Sequence, residues 1–352
     1  MCILRIRRNH LVEDALNEIA RQRPRDLLKP LRVHFIGEDG IDAGGVKKEF
    51  FQLLVTELLC PDYGMLIFQP ESRTYWFNGL SMEAEDEFML VGLVLGLAIY
   101  NAVLLDFPLP LVLYRKLLGQ ASSLRDLEDM DPTLGKSLRA LLTYDGKDGS
   151  VEDVFCQTFT AGMPGMGETL VVPLIEGGED ISVTEDNRRQ YVEAYMTFVL
   201  DTSVHKQFEA FARGFMMLCG GPAIHLFSAT ELERLVCGNP ILDFAALQSN
   251  ARYEGGFSAE HRAVKWLWEI VGEFDLNEKR HFLKFFTGSD RAPIGGLGNL
   301  RCIIQRDGTD SNKLPTSHTC FNTLLLPSYR SRVHMGARLR LAILNSEGFG
   351  LE

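Results

Sequence analysis

Several patterns that mark specialised chemistry are missing from this 352-residue sequence. It has no internal repeat and no low-complexity tract, which excludes a solenoid and a largely disordered chain. Neither the GxGxxG pattern nor a complete P-loop occurs, and the HExxH, GxSxG and EF-hand patterns are also absent. These absences remove the usual signatures of dinucleotide, zinc-peptidase, serine-hydrolase and calcium chemistry.

Cysteine is sparse and unpaired. The seven cysteines stand at positions 2, 60, 156, 219, 237, 302 and 320. An odd number without closely spaced pairs argues against a disulfide framework and against a metal site of the zinc type. We therefore expect a reducing compartment, and the cytoplasm, extending to the nucleus, is the predicted location.

Basic residues are outnumbered. The chain has 36 Lys and Arg against 47 Asp and Glu, a formal net charge of −11. Proteins that bind nucleic acid usually present a basic face, and here the dense basic patches are confined to residues 5–8 and 21–25. We expect no nucleic-acid partner, and the acidic surface favours partners with basic surfaces.

One long apolar run lies between acidic flanks. Residues 88–105 are 18 residues without a formal charge. That length is the lower limit for a membrane span. Asn101 lies inside the run and no Lys or Arg anchors its ends, so a buried core helix is favoured over a membrane span. Gly92 and Gly96 have the spacing that allows another helix to approach closely.

Hydrophobic periodicity predicts an α+β protein that is mainly helical. Strands are predicted at 31–36, at 65–69 and 74–78 as a hairpin, at 154–159 and 169–175, and at 301–305 and 320–326. Ser228 and Glu231 form a predicted capping box for a helix that ends at Cys237 and Gly238. Helices are predicted at 9–21, 46–59, 88–105, 133–144, 185–200, 203–218, 258–273, 276–287 and 331–345.

Breaks in the pattern predict the domain organisation. The sequence Gly238-Asn239-Pro240 interrupts the helical pattern, and residues 241–352 then read as a compact α+β domain of their own. We predict one domain over residues 1–237, a hinge at 238–240 and a second domain over 241–352. A small β-containing insertion is expected within the first domain.

Cys320 differs from the other cysteines in its surroundings. Cys60, Cys156, Cys219, Cys237 and Cys302 lie in apolar or alternating segments and are predicted to be small buried hydrophobes. Cys320 stands where a polar loop that begins with a proline meets an apolar strand, with a histidine two residues before it. There a thiolate can be exposed and stabilised by hydroxyl, imidazole and backbone N–H donors. Spacing alone leaves two readings open, a reactive thiol and an ordinary strand cysteine.

The segment around this cysteine, LPTSHTCFNTLLLP, resembles the active-site segment of HECT-type ubiquitin-protein ligases. The resemblance covers about residues 5–352 in order, and TGSDRAP and LPTSHTCFN are closest to the papillomavirus-protein-associated and related subgroups. Members usually carry further modules before this unit, so a fragment or a short form is expected. The other matching segments include RIRRNHLVEDAL, DAGGVKKEFFQLL, WFN, GLVLGLAIYN, FPLPLVLYRKLLG, NRRQYVEAY, SVHKQFEAFARGF, LERLVCG, TGSDRAPIGGLGNL and the terminal EGFG.

The resemblance implies a bilobed α+β fold and an enzyme. Residues 1–237 would form a mainly helical N-lobe with a conjugating-enzyme-binding subdomain at about 122–194. A flexible hinge of Gly238, Asn239 and Pro240 would join it to a smaller α+β C-lobe at 241–352. Cys320 would accept ubiquitin from a conjugating enzyme as a thioester and pass it to a substrate lysine, in a pathway of protein degradation, without a cofactor or metal.

Further roles follow from the same resemblance. His318 and Thr319 would orient the C-terminal glycine of ubiquitin or its oxyanion, and Phe349 would be needed for transfer to the substrate. The hydrophobic groove for the conjugating enzyme would be lined by Leu134, Leu138, Tyr144, Phe155 and Tyr191. Two alternatives stay open, a non-catalytic docking scaffold and a cysteine hydrolase of ubiquitin-like thioesters. The hydrolase would need an oriented Cys–His pair.

Overall fold

The structure is a computed structural model that describes residues 1–38, 45–164, 169–308 and 312–345. It is mixed α+β, as predicted. The strands are β1 Cys2–Ile6, β2 Leu31–Phe35, β3 Leu66–Gln69, β4 Thr74–Phe77, β5 Thr160–Pro164, β6 Thr169–Pro173, β7 Arg252–Glu254, β8 Ile303–Arg306, β9 Thr316–His318 and β10 Thr323–Leu326.

The helices follow the apolar periodicity of the sequence in most places. They are α1 Leu11–Ala20, α2 Pro24–Leu27, α3 Gly45–Leu58, α4 Glu85–Tyr100, α5 Leu111–Leu117, α6 Leu124–Met130, α7 Pro132–Thr143, α8 Val151–Phe155, α9 Arg188–Leu200, α10 His205–Cys219, α11 Ala229–Cys237, α12 Phe244–Asn250, α13 Arg262–Glu273, α14 Leu276–Thr287 and α15 Arg332–Asn345.

Contacts divide the chain into two compact units. The first unit combines Met1–Val55, Leu97–Phe107 and Arg234–Glu352, and the second combines Thr56–Gly96 with Pro108–Glu233. The predicted lobe boundary at residues 238–240 stays a prediction.

The first unit contains a four-stranded sheet with the order β7-β8-β10-β9. Strand β8 pairs in parallel with both β7 and β10, and β10 pairs antiparallel with β9. Helices α13, α14 and α15 supply buried side chains to one hydrophobic cluster with the inner residues of this sheet. In α13 the buried residues Val264, Leu267, Trp268 and Val271 follow the i, i+3, i+4, i+7 spacing of an amphipathic helix.

Strand β1, which pairs with the predicted strand β2 in the first unit, was not predicted. Strands β1 and β2 pair in parallel from Cys2 opposite Leu31 to Ile6 opposite Phe35. Both strands alternate buried and exposed residues, so the period of two was present in CILRI. The basic residues in that short segment obscured the pattern. Asp14 of α1 is buried and accepts hydrogen bonds from the backbone and guanidinium of Arg7, which lowers the pKa of its carboxyl.

The second unit is built around the crossing of α4 and α10. A methyl group on Gly92 would overlap the carbonyl oxygen of Phe211, and one on Gly214 would overlap that of Met89. Glycine at both positions therefore lets the two backbones touch. Phe211 and Phe215 of α10 are buried, so the aromatic residues on this face of the helix belong to the core.

The apolar run at residues 88–105 is a core segment. Every residue from Leu90 to Ala98 is buried. Within the described residues no helix is long and apolar enough to cross a membrane. The capping box at the start of α11 is confirmed, since Ser228 Oγ accepts from the N–H of Glu231 at 3.3 Å and the Glu231 carboxylate accepts from the N–H of Ser228 at 2.9 Å.

The described part of residues 124–200 in the second unit contains the helices α6, α7, α8 and α9 and a hairpin. Helices α6, α7 and α9 pack together, and β5 pairs antiparallel with β6 from Thr160 opposite Pro173 to Pro164 opposite Thr169. The expected strand at 154–159 is wrong, because residues 154 and 155 belong to α8 and the strand β5 begins only at Thr160. Ser150 caps that helix by accepting from the N–H of Asp153 at 3.2 Å, a signal that outweighs the alternating pattern.

Candidate active site

Cys320 lies in the short turn between β9 and β10. Thr319–Phe321 form one turn of 3₁₀-helix, which ends at Asn322 in the left-handed conformation with φ 49° and ψ 49°. The predicted strand at 320–326 is therefore corrected to begin at Thr323, because a left-handed residue cannot continue an extended strand. The side chain of Cys320 is outside what the structure describes.

The ends of this turn are attached to the sheet and to α14. The N–H of Ile303 in β8 donates to the carbonyl oxygen of Asn322 at 3.0 Å. Ser317 Oγ in β9 donates to the carbonyl oxygen of Phe285 in α14 at 2.5 Å. Leu324 and Leu326 of β10 are buried in the hydrophobic cluster. The backbone that carries Cys320 is thus fixed to the most deeply buried part of the first unit.

The residues beside Cys320 differ in exposure. His318 is exposed and pairs across the ladder with Thr323, whereas Thr319 is half-buried. Phe321 follows the cysteine with 54% of its surface exposed. An exposed phenylalanine next to the candidate nucleophile offers apolar surface to an incoming protein. The predicted roles of His318 and Thr319 stay predictions, and Phe349 lies outside the described residues.

Helix α3 approaches the other side of the turn. Lys48 Nζ donates to Oδ1 of Asn322 at 3.3 Å, and Gln52 Nε2 donates to the carbonyl oxygen of Gly288 at 3.1 Å. Sequence reasoning missed these contacts because 274 residues separate Lys48 from Asn322, and no local pattern marks so distant a pair. A cavity of about 130 Å³ adjoins them, lined in part by Lys48, Gln52, Gly288 and Asn322.

The predicted hinge residues form a bridge within the first unit. Gly238 ends α11 with φ 84°, and its N–H donates to the carbonyl oxygen of Arg234 at 2.9 Å. Asn239 exchanges two backbone hydrogen bonds with Ala292, at 2.7 and 2.9 Å, and Pro240 is exposed. Movement about these residues stays a prediction, and it would have to break the bridge to Ala292.

The predicted groove residues separate into buried and accessible ones. Leu138 and Tyr191 are 4% and 3% exposed, so they belong to the core of the second unit and present almost no surface to a partner. Leu134, Tyr144 and Phe155 are half-buried. The groove assignment stays a prediction. Of the five predicted groove residues, only these last three have side chains that a partner could contact.

Tyr144 and Phe155 form an aromatic pair with a fixed geometry. Their ring centroids are 5.3 Å apart and nearly perpendicular, an edge-to-face arrangement. Arg188 donates to the carbonyl oxygen of Tyr144 at 2.9 Å, and the Tyr144 hydroxyl donates to that of Gly149 at 3.1 Å. Tyr191, in contrast, packs edge-on against Phe159, and burial raises its pKa to about 12.

The remaining cysteines only partly match the expectation of buried hydrophobes. Cys237 and Cys302 are buried, and burial raises the pKa of Cys302 to about 12. Cys60 and Cys219 are half-buried, and burial raises the pKa of the Cys219 thiol to about 11. For Cys156 the expectation is wrong. It is exposed because it ends α8 in the left-handed conformation, so its side chain lies outside any strand.

A resident metal has no prepared site in the part of the chain that the structure covers. Among these residues no group of three or more His, Cys, Asp and Glu side chains is placed to hold a metal ion. The chemistry available at the candidate site is that of a thiol, an imidazole, hydroxyls and backbone N–H groups.

Comparison with known proteins defines the class. The model of the HECT-domain (ubiquitin-transferase) family matches residues 52–352. The chain therefore belongs to the HECT-domain family of ubiquitin transferases, which confirms the family suggested by the LPTSHTCFN segment.

Curated relatives extend across almost the whole chain. It is 44% identical over 349 residues to the probable E3 ubiquitin-protein ligase HERC3 of Homo sapiens, covering 99% of this chain and 33% of that protein. It is 40% identical over 363 residues to the probable E3 ubiquitin-protein ligase HECTD2 of Mus musculus, covering 99% and 46%. The probable E3 ubiquitin-protein ligase HUL4 of Eremothecium gossypii is 37% identical over 362 residues, covering 99% and 43%. The chain spans between a third and a half of the length of these relatives.

Proposed function

We propose that the chain is a ubiquitin-ligase catalytic unit in which Cys320 carries ubiquitin as a thioester. The observation that carries the proposal is the position of Cys320 at the tip of the β9–β10 connection, inside the matched family region. The relatives are named as probable E3 ubiquitin-protein ligases, which supports the same activity.

The first chemical step is an exchange between two thiols. The thiolate of Cys320 attacks the carbonyl carbon of the ubiquitin C-terminal glycine, which a conjugating enzyme holds as a thioester. A bond from that carbon to the Cys320 sulfur forms, the bond to the conjugating enzyme's sulfur breaks, and that sulfur leaves as a thiolate. One thioester replaces another, so the protein's task is alignment of the two sulfurs and stabilisation of the oxyanion. His318 and Thr319 are the proposed orienting residues.

The second step transfers ubiquitin to an amine. A substrate lysine attacks the Cys320 thioester, an amide bond forms, and the Cys320 thiolate is released while the amine loses a proton to a base. A free lysine amine with a pKa near ~10.4 is mostly protonated at neutral pH, so a carboxylate or desolvation near the site would assist. Phe349 is proposed to support this step.

The partners follow from the two steps. A conjugating enzyme would dock on the subdomain at about 122–194, where Tyr144 and Phe155 supply an accessible aromatic pair. Ubiquitin and protein substrates would meet Cys320, with movement about Gly238, Asn239 and Pro240 bringing the thiol to each in turn. A cytoplasmic and nuclear location and a role in protein degradation are part of the proposal. Imaging a tagged chain tests the location, and substrate lifetime tests the role.

The decisive experiment is thioester trapping. The purified chain is mixed with ubiquitin, activating enzyme, a conjugating enzyme and ATP, and the products are separated with and without reductant. We expect an adduct that disappears with reductant, is absent in Cys320→Ala and persists in Cys156→Ala, which removes an exposed thiol elsewhere.

Other outcomes would overturn the proposal. The scaffold alternative would be favoured if the folded chain bound ubiquitin-loaded conjugating enzymes but formed no ubiquitin adduct. Release of free ubiquitin from thioesters without a bound intermediate or lysine transfer would favour the hydrolase.

A further inference from the structure

Two side chains of α3 hold the region around Cys320. Lys48 and Gln52 are four residues apart and so lie on the same face of the helix. Lys48 Nζ donates to Oδ1 of Asn322 at 3.3 Å, and Gln52 Nε2 donates to the carbonyl oxygen of Gly288 at 3.1 Å. All four residues belong to the first unit, and Asn322 ends the 3₁₀ turn that contains Cys320.

Gly288, which accepts the hydrogen bond from Gln52, lies close to the same turn. It ends α14 with φ 81°, and a methyl group placed on it would lie 3.7 Å from Cβ of Thr319. Thr319 directly precedes Cys320. The two bonds from α3 therefore reach both sides of the nucleophile, one through Asn322 and the other through the residue packed against Thr319.

Asn322 is attached at two independent points. Its backbone carbonyl accepts from the N–H of Ile303 at 3.0 Å, and its side-chain carbonyl accepts from Lys48. The first bond fixes the end of the turn to the sheet. The second fixes it from the side where a cavity of about 130 Å³ leaves room for the turn to shift. On that side the bond from Lys48 is a polar restraint on the end of the turn.

We propose that Lys48 is a positioning residue for ubiquitin transfer, acting through Asn322 to fix the turn that presents Cys320. The inference rests on the proposed function of Cys320. Exchange between thioesters depends on the attacking sulfur being held in line with the carbonyl carbon, and small displacements of an attacking group reduce rates strongly. Loss of the Lys48 bond leaves the sheet intact and frees the turn to move into the cavity.

The test is single-turnover transfer of ubiquitin from a purified, pre-charged conjugating enzyme to the full chain. Lys48→Met removes the donor and retains most of the apolar stem. We expect the maximal rate to fall about tenfold, the loss typical of one charge-assisted hydrogen bond, with an unchanged half-saturating concentration of the charged enzyme. Lys48→Arg restores a donor and should return the rate to within about threefold of wild type.

A matched control and a second variant separate positioning from folding. Lys47→Met makes the same change at the neighbouring position of α3 and should leave the rate unchanged. Asn322→Gly removes the acceptor while glycine accepts the left-handed conformation without strain. Asn322→Gly should reproduce the fall in transfer rate. The double variant Lys48→Met with Asn322→Gly should be no slower than either single variant.

Several results would overturn the inference. The inference is wrong if Lys48→Met transfers ubiquitin as fast as wild type or faster. It is also wrong if the rate losses of Lys48→Met and Asn322→Gly add in the double variant, or if Lys48→Arg does not restore the transfer rate. Thermal melting of each variant shows whether it is folded, and if Lys48→Met is unstable, the arginine and Asn322→Gly variants decide. Failure of the wild-type chain to form any thioester would reject the proposed function itself, which is a distinct outcome.

Discussion

The Cys320 turn and the predicted docking subdomain at about 122–194 differ in the surface that they present. The turn is fixed by hydrogen bonds from Ser317, Ile303 and Lys48 to specific backbone or amide oxygens and stands on a buried strand. The docking subdomain also contains hydrogen bonds, but its β6 strand exposes the apolar side chains of Leu170 and Val171. Hydrogen bonds define one position to within a fraction of an ångström, whereas an apolar surface allows many arrangements.

The apolar character of the docking subdomain limits what the sequence can say about its accessible residues. A core and a docking groove use the same apolar residue types, so local sequence cannot separate Leu138, which is buried, from Leu134, which is half-buried. The following predictions use that contrast, beginning with the largest expected effect.

The two leucines of α7 provide a matched pair for stability. Leu138→Ala should lower the free energy of unfolding by about 3 kcal/mol, because it leaves a cavity in a buried cluster. Leu134→Ala should cost about 1 kcal/mol, since its side chain already meets solvent. Urea unfolding at neutral pH measures both values. Equal losses would mean that burial does not distinguish the two positions.

The aromatic pair on the same subdomain should affect binding more than stability. Phe155→Ala removes an accessible ring beside Tyr144 and should weaken docking of the conjugating enzyme about tenfold. Phe68→Ala is the control, because Phe68 is 45% exposed and pairs with Tyr75 at 5.0 Å outside the subdomain. Titration by isothermal calorimetry gives both affinities, and a similar loss in the two variants would contradict the docking assignment.

Two serines near the β9–β10 region test the importance of hydrogen bonds there. Ser317→Ala removes the bond to Phe285 and should reduce the free energy of unfolding by about 1 kcal/mol. Ser328 has a buried hydroxyl without a hydrogen-bond partner among the described residues, so Ser328→Ala should be neutral or slightly stabilising. Chemical unfolding of the two variants side by side gives the comparison, and the reverse order of stabilities would refute it.

The smallest effect concerns the buried tyrosine of the docking subdomain. Burial raises the pKa of Tyr191 to about 12, above the value near ~10 expected in the unfolded chain. The resulting stability is present below pH ~10 and is lost as pH rises toward 12, because only the unfolded state ionises readily in that interval. Tyr191→Phe should flatten this dependence and remove one late-titrating phenol from the ultraviolet spectrum. Loss of a phenol that titrates at about pH 10, rather than of a late-titrating one, would place Tyr191 in solvent.

Some parts of the molecule were readable from sequence for clear physical reasons. The helix within residues 88–105 and the capping box at Ser228 each depend on neighbouring residues. The helical start at Val151 and the left-handed Cys156 depend on competition between a serine cap and an alternating pattern, which local sequence does not resolve. The bond from Lys48 to Asn322 requires the whole fold and could not be read from either segment.

The reciprocal contact of Gly92 and Gly214 has a consequence for biosynthesis. The two helices meet across 119 positions, from Gly92 to Phe211, so the apolar surface of α4 is complete long before its partner α10 exists. At about 5–20 residues per second, a ribosome needs roughly 6–24 seconds to produce the intervening segment. During that interval the nascent chain exposes the apolar residues of α4 that follow its acidic first turn, and these bind readily to other apolar surfaces. Protection of residues 88–105 by a chaperone, or slower emergence of these residues from the ribosome, therefore affects the yield of folded domain more than its final stability.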